Sequence, residues 1–159
     1  MGVALKKAEA DTGYEADFYS WAMAQAKLLR EGKLGDIDIA NIAEELETLG
    51  RSERSALRSH YEILTLHLLK AAYQPKMHTK SWNASIANAR NQIARLIEDN
   101  PGLKPQRDEL FEMAYQDARR VAAAETGLLL KEFPRQAPFS RTNAEDFSFM
   151  PKPVKIIER

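Results

Sequence analysis

The chain has 159 residues, 44% of them apolar and 29% charged, with 23 basic side chains against 23 acidic ones. That is one ordinary domain, long enough to bury a core without help from a disulfide or a metal. It contains no cysteine, which excludes a disulfide scaffold, a thiolate-ligated metal and a thiol nucleophile, and fits a reducing, cytoplasmic compartment.

Residues 1–12 read as a flexible N-terminus. Asp17 caps a first helix in which Phe18, Trp21, Ala22, Leu28 and Leu29 recur at three-to-four spacing until Glu31, with Gly32 as the stop. Asp36 and Asp38 offer caps for a second helix, whose stripe reads Ile39, Ile42, Leu46, Leu49, Leu57, Leu64, Leu68 and Ala72. It runs until Pro75 forbids it. Gly50 is a candidate break, but Leu49, Glu53 and Leu57 keep phase across it in steps of four, which favours one long helix. Thr79 or Ser81 caps a third helix, with Trp82, Ile86, Ile93, Leu96 and Ile97 on its stripe, closed by Asn100, Pro101 and Gly102. Pro105 suits the first turn of a fourth helix, where Leu110, Phe111, Ala114, Ala118 and Val121 continue until Gly127.

The expected fold is therefore all-α: an antiparallel four-helix bundle over residues 13–130 with a long second helix and an irregular C-terminal wrap. The wrap is placed at 131–151, where Phe133, Phe139, Phe147 and Phe149 give apolar anchors and a short helix is expected near Asn143. Residues 152–159 read as a mobile tail. No apolar run reaches the length of a membrane span, since Thr65 and His67 interrupt even the segment Ile63 to Leu69. Met1 to Ala10 has two lysines but no apolar core, so no signal peptide is expected there.

Zero net charge hides a division along the chain. Residues 1–50 hold five basic and ten acidic side chains, whereas residues 51–100 hold eight and four. Between Glu62 and Glu98 there is no acidic residue, while Lys70, Lys76, Lys80, Arg90 and Arg95 fall in that interval. Such a stretch is either an electrostatic footprint for nucleic acid or the complement of the acidic Asp36 to Glu47 segment in the same molecule. The neutral balance favours internal pairing over a nucleic-acid partner.

Several chemistries find no support. A di-iron bundle needs Glu-x-x-His pairs, but Leu57, Leu64 and Pro75 stand three before the histidines His60, His67 and His78. Glu53, His60 and His67 share a side of the second helix, yet seven residues rise about 10.5 Å, too far for one ion. They read as polar residues at the edge of the stripe. Asp36-Ile37-Asp38 begins like a calcium loop and fails at Ala40 and Asn41. Glu44, Glu45 and Glu47 read as a solvated helix face. No glycine-rich phosphate loop, nucleophile elbow or dinucleotide fingerprint occurs, and no metal or cofactor is called for.

What remains is the corner between the second and third helices. His67, Lys70 and Gln74 fall on one face within two turns, Tyr73 ends the helix, and Lys80 and Trp82 open the next. Cations beside an aromatic surface suit a carboxylate, a phosphate or a base. His67, Lys70, Tyr73, Lys80, Trp82 and Arg90 are thus the candidate ligand-binding residues. In the alternative, Tyr73 and Trp82 plug the end of the bundle and the lysines are solvated.

The run His67-Leu68-Leu69-Lys70-x-x-Tyr73-Gln74-Pro75 followed by Ser81-Trp82 resembles the bacterial family known as domain of unknown function twenty-nine. Further segments agree in the same order: Tyr14-x-x-Asp17-Phe18-Tyr19-x-Trp21, Ile42-Ala43-Glu44-Glu45-Leu46-Glu47-x-Leu49-Gly50 and Ala124-Glu125-Thr126-Gly127-Leu128 with Phe133-Pro134. The resemblance spans about Tyr14 to Pro151 and implies a stand-alone, helical, bacterial cytosolic protein with no assigned reaction. Many members carry a cysteine before the proline at the position of Pro138; here that residue is Ala137. Two functions follow as expectations: a non-enzymatic module that self-associates or binds a protein partner, or a binding protein or enzyme that takes an anionic ligand or nucleic acid at the basic corner. A membrane partner is not expected.

Overall fold

Asp17 opens the first helix as its position predicts. Its carboxylate accepts a hydrogen bond from Ser20 N at 3.0 Å, and α1 runs Phe18–Arg30. The computed structural model describes residues 13–156, so the expected flexible stretch 1–12 and the last three residues of the expected tail lie outside the described residues. Gly32, at φ 69°, takes the left-handed conformation that ends the first helix. Asp38 then caps α2 through Asn41 N, and α2 runs Ile39–Tyr73 as 35 continuous residues with Gly50 inside it. Thr79 caps α3, Lys80–Asp99, through Trp82 N.

The start of the fourth helix differs from expectation. Pro101–Gln106 forms a 3-10 helix with Pro105 inside it, and α4 begins only afterwards, as Arg107–Thr126. A tight turn with i to i+3 bonds accommodates two prolines more readily than an α-helix does. Gly127, at φ 74°, closes α4. A single 3-10 turn at Leu130–Glu132 follows, and Ser140 caps the short α5, Arg141–Glu145. All regular elements among the described residues are helical.

The chain divides at Gly50, within α2, into two compact units. The first is a helical hairpin: Tyr14 OH donates to Glu45 Oε1 at 2.5 Å, Trp21 Nε1 to Asp38 Oδ2 at 3.2 Å, and Asp38 N to Gln25 Oε1 at 2.7 Å. Those pairings set α1 antiparallel to the start of α2. Trp21 is the buried residue of this unit, while Phe18, Met23, Ile39, Leu46 and Leu49 are exposed.

The second unit holds the rest of α2 with α3, α4 and α5. Asn100 reaches Glu53 and Lys70 lies over Trp82, so α2 and α3 are antiparallel; Arg54 reaches Gln106 and Lys70 reaches Glu125, so α2 and α4 are parallel. The result is three helices running up, down and up around Leu57, Tyr61, Leu64, Leu68, Ile86, Ile93, Leu110 and Ala114. The second helix's stripe is therefore buried only from Leu57 onward, a division that its uniform periodicity does not reveal. After α4 the chain returns over this core. Phe133 is buried against Tyr73, Phe139 against Phe111, and Tyr115 OH donates to Pro134 O at 2.6 Å. Val154 N donates to Ala72 O at 2.8 Å, taking up a carbonyl that the end of α2 leaves open.

Candidate functional site

The corner predicted to hold a ligand is built from the C-terminal end of α2, the first turn of α3 and the end of α4. Lys70 Nζ lies 2.5 Å from Glu125 Oε2 and 4.6 Å from the centre of the Trp82 ring, and its side chain is 14% exposed. A cation held between a carboxylate and an aromatic face is satisfied on both sides. His78 stacks on the far part of this assembly, its ring 5.8 Å from Trp82, and Gln74 Nε2 donates to Thr126 O at 3.1 Å. The corner is thus a joint between three helices. Its acidic partner is Glu125, in the Ala124-Glu125-Thr126-Gly127 segment, rather than a residue of the acidic Asp36 to Glu47 stretch.

The six candidate residues fall into different environments. His67 Nδ1 lies 2.8 Å from Ile63 O; a carbonyl only accepts, so this nitrogen is the donor. Lys80 is exposed at the start of α3. Tyr73 is buried, its ring 4.6 Å from Phe133, and burial pushes its phenol up from the ordinary value. Arg90 is 4% exposed, with Nε, Nη1 and Nη2 donating to the carbonyls of Ala144, Phe147 and Phe149 at 2.7, 3.3 and 2.8 Å. Burial lowers its pKa, and the nearby Asp146 acts in the opposite sense. The structure therefore brings Lys70 and Trp82 together, places Tyr73 in the core, and makes Arg90 the anchor of the C-terminal segment.

A second polar cluster lies where sequence reasoning did not look. Glu145 Oε1 accepts from Tyr61 OH at 2.5 Å and its Oε2 from Arg141 Nη1 at 2.9 Å, while Arg107 Nη1 stands 3.8 Å from the same Oε2. Arg141 Nε also donates to Asp108 Oδ1 at 2.6 Å. Tyr61 is fully buried; burial first, and then the bond to Glu145, push its phenol well above the ordinary value. The two residues are 84 positions apart, so no spacing rule connects them. Beside this cluster is a cavity of about 270 Å³ lined by Arg90, Ile93, Ile97, Arg107, Glu145 and others. A larger, more open depression of about 740 Å³ lies over Gln116, Arg119, Lys131 and Arg135. There Arg119 is engaged with the carbonyls of Phe133 and Leu130.

Among the described residues no group of three or more His, Asp or Glu stands close enough to hold a metal ion, and no helix is long and apolar enough to cross a membrane. No curated protein and no solved structure matches the chain. The sequence profile described as Domain of unknown function DUF29 matches residues 13–150, which contain the helices, the Lys70 joint and the Glu145 cluster. The chain belongs to that family.

Proposed function

We propose that this protein is a non-enzymatic interaction module that self-associates, a second copy covering the apolar face of its first unit. The observation that carries the reading is the state of the α2 stripe. Leu57, Leu64 and Leu68 are fully buried, yet Ile39, Leu46 and Leu49, which continue the same stripe, are 68, 63 and 64% exposed. Phe18 and Met23 on α1 are also about half exposed, at 51 and 52%. Each such side chain gains about 1 to 2 kcal/mol when the exposed part is covered, and grouped apolar exposure of this kind marks interaction surfaces.

Charge supports a second copy as the occupant. Residues 13–50 carry three basic and eight acidic side chains, net −5, and residues 51–156 carry seventeen and twelve, net +5. The first unit of one copy is therefore complementary to the second unit of another, whereas two first units repel. A cytoplasmic, bacterial setting belongs to the same proposal: the cysteine-free composition fits a reducing compartment, and the bacterial setting rests on the family resemblance. Sedimentation velocity tests it at about 100 µM, where a micromolar dimer is populated. The wild-type chain should sediment as a dimer that weakens with salt, and the double variant Leu46→Glu, Leu49→Glu as a folded monomer. A strictly monomeric wild type, or a double variant that still dimerises, refutes the reading.

A second reading, an anionic or nucleic-acid ligand at the basic corner, rests on the acid-free interval and on the exposed Lys76 and Lys80. It has less support, because Lys70 is engaged by Glu125, and Arg90 by three carbonyls. Titration with mixed DNA and RNA at two salt concentrations separates the two, since phosphate binding must weaken as salt rises.

A further inference from the structure

We propose that the cavity beside Glu145 is a binding site for a small monocarboxylate with an apolar tail, a function independent of self-association. Its volume, about 270 Å³, is near the lower end of the range for small-ligand pockets, which are apolar with a few convergent polar groups. Ile93 and Ile97 of α3 are buried and form an apolar wall one helical turn long; Ala94 and Phe147 are exposed at the mouth.

The polar side of the cavity carries two guanidinium groups and one carboxylate. That carboxylate is already engaged, because Glu145 accepts from Tyr61 through one oxygen and from Arg141 through the other. Arg107 Nη1, at 3.8 Å from Glu145 Oε2, is beyond hydrogen-bond reach of it, and its Nε is bonded to Lys104 O at 3.3 Å. The terminal nitrogens of Arg107 thus present donors in the fork geometry that fits a carboxylate. Arg90 adds positive charge, but its donors are held by the three carbonyls. The side chains that line the cavity carry two positive charges and one negative, and the terminal nitrogens of Arg107 are the donors that a carboxylate would use. A second negative charge on the ligand would meet Glu145, so a monoanion is preferred over phosphate. The apolar wall asks for a tail.

Calorimetric titration of the full chain with octanoate tests this, with octanol, butyrate and inorganic phosphate as comparison ligands. Octanoate should bind with one site per chain, and octanol and butyrate about tenfold or more weakly, the loss expected when a charge-assisted bond or most of the apolar contact is removed. Arg107→Ala should lower octanoate affinity by about tenfold or more, with Arg107→Lys in between. Ala94→Phe, at the exposed mouth, should block binding while leaving the circular dichroism spectrum unchanged, and it keeps the proposal testable if Arg107→Ala fails to fold. No heat from octanoate up to about 10 mM, a range that covers even millimolar affinity, overturns the proposal. So does undiminished binding by Ala94→Phe, or phosphate binding as tightly as octanoate.

Discussion

Replacing Arg90 with methionine keeps most of the aliphatic stem and removes the three donors that hold the carbonyls of Ala144, Phe147 and Phe149. A hydrogen bond from a charged donor contributes about 1.5 to 3 kcal/mol, and the burial of the guanidinium offsets part of that sum. The carbonyl of Ala144, a fully buried residue, has the least access to water, while Phe147 is 58% exposed and its carbonyl is more readily rehydrated. The bonds at 2.7 and 2.8 Å therefore dominate, and Arg90→Met should cost about 2 to 4 kcal/mol. Arg90→Lys retains one charged donor set and should lose about half of that. Urea unfolding followed by circular dichroism measures the loss, and chymotrypsin cleavage after Phe147 and Phe149 reports whether the C-terminal segment has come away. An Arg90→Met protein within about 0.5 kcal/mol of wild type, the usual effect of a surface substitution, with unchanged cleavage would refute the anchoring role.

Three further outcomes follow from single residues. His60 Nδ1 is buried without a hydrogen-bond partner, and burial lowers its pKa below the ordinary 6.5. The folded state therefore favours the neutral ring, so its contribution is complete above pH 6.5 and is lost as pH falls below that toward the lower folded pKa. His60→Leu should flatten this decline in urea-unfolding free energy between about pH 7 and pH 5; an equal decline in both proteins contradicts it. At Gly50, inside α2, an added Cβ meets no atom within 4 Å, so Gly50→Ala should stabilise by about 0.5 to 1 kcal/mol. Gly127→Ala should destabilise by about 1 kcal/mol, because φ 74° strains any side chain. Thermal melts that shift both variants in the same direction would count against this contrast.

Most helix boundaries, though not the start of α4, were legible in the sequence because they depend on groups within a few residues of one another. Asp17, Asp38 and Thr79 cap through backbone N–H groups three positions on, and Gly127 closes α4 through its own φ. The proximity of Lys70 to Trp82 was legible too, since only a short turn separates α2 from α3. Other features depended on segments far apart in sequence. Periodicity marks Leu46 and Leu57 alike as stripe residues, but whether another helix lies against them is a tertiary matter, and the two end up 63% and 0% exposed. Charge counting paired the basic middle of the chain with its acidic start, whereas Lys70 found Glu125, 55 positions on, and Arg90 found backbone carbonyls. Caps and stripes act through the local helical geometry, which the sequence by itself determined; the placement of Arg107 beside Glu145, and with it the cavity, was decided by the packing of α3, α4 and α5.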